Sequence, residues 1–128
     1  MRVWTSTLVT TLLLTAGCAA ATEDGAARAA ARFEGALLAS DVTTACALLT
    51  PSALADLEPA GPCPDVFGGL GVPAGEVTEL EVYGDAALVR TGTDTLFLRE
   101  LSGGWKVAGA GCHPAGAGHP FDCAVGGP

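Results

Sequence analysis

The chain has 128 residues, 49% of them apolar, and a formal charge of −8 at neutral pH. Its six basic residues are scattered, so no face can neutralise a run of phosphates; this excludes a nucleic-acid-binding protein and a polybasic membrane patch. The length suits one small domain with modest stability in reserve.

The chain opens MRVWTSTLVTTLLLTAGC. Arg2 is basic, Leu8 to Leu14 is a short apolar run, and Thr15-Ala16-Gly17 are small residues ahead of Cys18. A charged start, a short apolar core and a small-residue exit are the parts of an export signal. The run is too short for a bilayer span, which needs about 20 apolar residues. The ending resembles a bacterial lipobox, with Thr15 where most such motifs carry leucine. The resemblance implies removal of residues 1–17, a diacylglyceryl group on Cys18, and a location on the outer face of the cytoplasmic membrane. An ordinary secretory signal cut near Ala19 to Ala21 would instead release the chain. Loss of the signal leaves 111 residues.

Residues 18–22 are then expected to be a lipidated cysteine and a short apolar tether, followed by one domain over 23–128. Thr22-Glu23-Asp24 predicts a helix start, a capping hydroxyl followed by acids near the positive end of the helix dipole. The helix is expected to run to Ser40, with Ala26, Ala29 or Ala30, Phe33 and Leu37 on its apolar face and Gly35 as a weak point. Asp41 predicts the cap of a second helix, Val42 to Leu49. Thr50-Pro51 predicts a third, carrying Leu54 and Leu57 to Pro59. Residues 59–75, rich in Pro and Gly, read as a linker anchored by Cys63 and Phe67.

From Val77 the apolar period becomes two. Thr78, Leu80 and Val82 share one face, and Glu79, Glu81 and Tyr83 the other. Turns at Gly84-Asp85, Gly92-Thr93-Asp94 and Ser102-Gly103-Gly104 divide the remainder into strands at Ala86 to Thr91, Thr95 to Leu101 and Trp105 to Ala108. The expectation is an α+β domain: two or three N-terminal helices over one face of a curved four-stranded antiparallel meander.

Cys46, Cys63, Cys112 and Cys123 form an even set in a small exported domain and predict two disulfides. Four cysteines permit three pairings. Cys46–Cys63 and Cys112–Cys123 are favoured because each closes a short local loop. Zinc at Cys112-His113…His119…Cys123 is the alternative, but the spacing fits no common zinc pattern and the compartment oxidises thiols. No cofactor or metal is expected.

The segments Asp41…Ala45-Cys46…Leu48-Leu49-Thr50-Pro51, Gly84-Asp85-Ala86 and Gly103-Gly104-Trp105-Lys106-Val107 followed by Gly111-Cys112 resemble the cone-shaped nuclear-transport-factor or SnoaL-type fold. They also resemble small actinobacterial lipoproteins that use it. The resemblance implies a hollow between helices and sheet, and no particular reaction. Enzymes of that fold work with Asp or His inside the cone, and no strand here offers such a pair. Glu76, Glu79, Glu81, Asp85 and Asp94 read as a solvated acidic face rather than a calcium site, and Trp105 and Tyr83 as packing rather than a ligand lining. There is no Gly-x-Ser-x-Gly elbow and no phosphate-cradling loop. The expectation is a lipid-anchored, non-catalytic module that binds an unknown protein or small molecule. A cone-fold hydrolase or isomerase is the first alternative, a structural envelope lipoprotein the second.

Overall fold

A computed structural model describes residues 16–118 and 120–128. It is an α+β structure, with helices on one face of a five-stranded antiparallel sheet and two disulfides. The signal segment, residues 1–15, lies outside the described residues.

Helix α1 spans Ala16–Leu38. The chain is thus already helical at Ala16, the first described residue and six before the expected cap at Thr22, and the expected spacer Ala19 to Ala21 is helical. The reason is intrinsic: alanine is the best helix former, so a run of it extends a helix without a cap. Ala26, Ala29, Ala30 and Phe33 are buried along one stripe, as the spacing predicts. Asp41 caps α2, Val42–Ala47, accepting from the Thr44 amide at 3.1 Å. Thr50 caps α3, Pro51–Leu57, accepting from the Ala53 amide at 3.1 Å.

The expected linker carries structure of its own. A 3-10 turn over Glu58–Ala60, a single helical turn α4, Cys63–Val66, and a second 3-10 turn, Phe67–Leu70, fill it. Disulfide Cys46–Cys63 binds this segment to α2, and Phe67 packs at right angles on Phe33, 6.3 Å between ring centres. Local capping and one covalent tie thus order a stretch whose composition signals only turns.

Strands β1 (Val77–Tyr83), β2 (Ala86–Thr91), β3 (Thr95–Leu101) and β4 (Gly104–Cys112) form the meander in chain order. A fifth strand, β5 (Val125–Gly126), pairs with β4 at Gly109 and Ala110. It is too short to show a period, and the Cys112–Cys123 bridge brings it into reach. β4 is also longer than expected, because Gly109 and Cys112 continue its pairing with β3 while Gly109 and Ala110 gain β5 on the other side. Gly126 has φ +62°, and a Cβ there would overlap the Ala108 carbonyl oxygen, so only glycine fits.

Further back along β4, Thr50 donates to the Val107 carbonyl at 2.9 Å and Val107 to the Leu48 carbonyl at 2.8 Å. Lys106 Nζ adds a bond to the Ala47 carbonyl at the end of α2 (2.8 Å). The far edge of the sheet is thereby covered in two halves, while β1 is the open edge. The core lies between α1 and the inner face, where Val89, Leu96, Leu98 and Val107 are wholly buried. On the outer face Phe97 meets Phe121, 4.9 Å between ring centres.

Candidate functional site

The structure brings two carboxylates together in the interior. Glu34 stands on the buried side of α1, one turn beyond Ala30, and is 7% exposed. Its Oε2 accepts from the Gly75 amide at 2.7 Å, while its Oε1 is buried with no hydrogen-bond partner among the described residues. Asp94, also 7% exposed, belongs to the turn between β2 and β3. Its Oδ1 accepts from the Thr91 hydroxyl at 2.7 Å and its Oδ2 from the Gly111 amide at 2.9 Å.

Gly75 sits where a side chain cannot. A Cβ on it would lie 2.7 Å from Thr93 Oγ1 and 2.8 Å from Thr91 Oγ1. That close backbone approach lets its N–H reach Glu34. One polar knot therefore ties α1, the segment before β1, the β2–β3 turn and the end of β4.

Burial pushes the Glu34 carboxyl above the usual glutamate range, the Gly75 amide partly opposes this, and the Asp94 charge adds to it. A raised native pKa means that the folded chain holds this proton more tightly than the unfolded chain does. Glu34 thus contributes most below its unfolded pKa, and the contribution falls as pH rises through the native value. Glu34→Gln is expected to flatten that part of the stability profile. Denaturant midpoints measured from pH 4 to 9 should show the variant gaining on wild type as pH rises; parallel profiles would remove Glu34 as the cause.

The other expected site residues are dispersed. Cys112 and Cys123 are bonded to each other, and His113 is exposed, pairing through its backbone with Asp122. His119 lies outside the described residues, and no group of three metal-ligating side chains occurs among the described residues. Glu79 pairs with Arg90 at 3.0 Å, Asp85 with Arg99 at 3.5 Å, and Glu81 accepts from the Tyr83 hydroxyl at 2.6 Å. These are exposed, low-value surface contacts, and Glu76 is exposed as well. Asp94 departs from the expected solvated face, because its side chain turns inward to satisfy the Gly111 amide. Trp105 is buried against Gly25, 3.0 Å from the place of a Cβ there, whereas Tyr83 is 62% exposed.

Clefts open on the surface of the described residues. One, of about 160 Å³, lies between the end of α1, α2 and the 67–72 turn, with Ala36, Val42, Phe67 and Val72 in its walls and Asp41 beside them. Another, of about 440 Å³, lies between α3 and the C-terminal residues, with Asp56, Arg99 and Leu101 around it. A third, of about 190 Å³, lies against β2 and β3, with Tyr83, Leu88, Phe97 and Pro128 around it. None of these three is lined by Glu34 or Asp94.

The acid pair was absent from the expectation, which sought Asp or His on an apolar strand. Helix phase could have found half of it, since Glu34 follows Phe33 and lies four residues after Ala30. Nothing in the spacing links Glu34 to Asp94, sixty residues later. The fold defines an α+β domain stapled by two disulfides. Comparison with known protein families, with curated proteins and with solved structures finds no match to this chain.

Proposed function

We propose that the chain is an exported lipoprotein held on the outer face of the cytoplasmic membrane through a lipid on Cys18, its domain a non-catalytic binding module. The observation that carries the reading is the pairing of the other four cysteines, Cys46 with Cys63 and Cys112 with Cys123. The chain has five, so no cysteine remains to pair with Cys18, and two staples suit an oxidising compartment. No helix among the described residues is long and apolar enough to cross a membrane. Two acyl chains hold a protein far more firmly than one, at about 0.8 kcal/mol per buried methylene.

The helix-covered sheet is compatible with the cone-like resemblance, and the cleft beside Phe67, with Ser40 and Asp41 among its lining, is the surface we assign to a small ligand or a partner protein. Cys18→Ser is expected to move the protein from the membrane fraction to the soluble fraction. Equal membrane retention of the variant would sink the anchor. A second reading, a small cone-fold hydrolase or isomerase, has Glu34 in its favour: a buried carboxyl of raised pKa beside a second carboxylate is a common acid–base arrangement. It requires a substrate to reach Glu34, and the three clefts described above are lined by other residues. We therefore assign the pair to holding the fold.

A further inference from the structure

We infer that the domain is held in one orientation, with the hairpin end of the sheet toward the lipid and the far end of α1 pointing away from it. The inference rests on the anchor at Cys18. Helix α1 is continuous from Ala16 to Leu38, so Cys18 lies on a helix and not on a flexible arm. Seven residues along from Cys18 is Gly25, a rise of about 10 Å on a helix. Even fully extended, that segment would span no more than about 25 Å.

Gly25 packs on Trp105, and that contact marks which end of the sheet lies near the anchor. Trp105 stands opposite Glu100, next to the 102–103 hairpin tip. The Glu100 amide donates to the Asp85 carbonyl at 2.7 Å, so the 84–85 tip is at the same end. Two of the exposed large apolar side chains, Tyr83 and Leu101, flank these tips, 62% and 40% exposed.

The opposite end is set by a contact further along α1, Glu34 with Gly75 just before β1. Leu38, 80% exposed, lies beyond it, about 20 Å of helix from Gly25. The cleft walled by Ala36, Val42 and Phe67 opens at this outer end. The near end also carries Glu81, Asp85 and Glu100, so it rests beside headgroups and does not insert among anionic ones. A bilayer that is neutral overall removes that repulsion.

Tyr83 is the only tyrosine in the chain, which makes the orientation directly readable. The lipidated protein, inserted from outside into phosphatidylcholine vesicles, is iodinated by lactoperoxidase, a catalyst too bulky to work between a protein and a bilayer. Soluble Cys18→Ser with the same vesicles gives the unshielded rate. Wild type is expected to react severalfold more slowly than this control. A Tyr83→Phe/Leu38→Tyr variant, its one tyrosine at the outer end, is expected to react equally fast anchored and soluble. Flotation with the vesicles is measured first. If wild type does not float, the anchor fails and the orientation with it. If it floats and the two ends are iodinated with the same slowing, or with none, the orientation alone is overturned.

Discussion

Phe33→Ala is expected to cost about 3–5 kcal/mol of stability, the usual penalty for emptying a fully buried aromatic site. Phe33 has no exposed surface and meets the Phe67 ring edge-on. The cavity left behind cannot close easily. Phe67 follows directly on α4, whose Cys63 is bonded to Cys46 on α2, so the wall opposite Phe33 is covalently held in place. A domain of this kind has about 5–15 kcal/mol in total, and the variant would lose a large share of it. Chemical denaturation reads the change. A loss below about 1 kcal/mol, the size of an ordinary surface effect, would mean that α1 does not pack on this turn. Should the alanine variant fail to fold, Phe33→Leu keeps more of the volume and is expected to fold with a smaller loss.

Removing the Cys112–Cys123 bridge, as Cys112→Ser/Cys123→Ser, is expected to cost about 3 kcal/mol on the loop-entropy account. It should also have a local signature. Strand β5 has two residues, and its neighbour Gly127 donates to the Ala108 carbonyl at 3.0 Å; so short a pairing cannot hold itself. Val125 is buried, and Phe121 on the same segment covers Phe97. Opening the bridge therefore frees the whole stretch from His113 to Pro128. Amide exchange at Ala124 and Gly127 should accelerate far more than exchange at Val89 or Leu98 in the centre of the sheet. Uniform acceleration would show instead that the bridge supports the domain globally and β5 has no separate dependence on it.

Elements governed by local rules were legible in the sequence. Asp41 and Thr50 cap their helices because a side-chain oxygen three residues before a free amide needs no help from the rest of the fold. The α1 stripe, the hairpins and both short-range disulfides follow from spacing in the same way. Three features were not legible. Helix α1 runs back past the expected cap at Thr22 because alanine extends helices without marking their ends. Residues 59–75 folded into turns because Phe67 and Cys63 found partners on α1 and α2. The fifth strand formed because a covalent bridge lent it the persistence its length lacks.

The sequence by itself determined the order of the first three helices and the four strands of the meander, the caps at Asp41 and Thr50, the even set of cysteines and the scarcity of basic residues. Each of these is decided within about one turn or one hairpin of the residue concerned, where chain geometry leaves few choices. Only the tertiary structure decided that Glu34 and Asp94 share the interior, that Gly75 must be small, and that Gly25 seats α1 on Trp105. Those facts depend on the distance between segments far apart in the chain. That distance is set by how the buried faces of α1 and the sheet fit together, which no local pattern encodes.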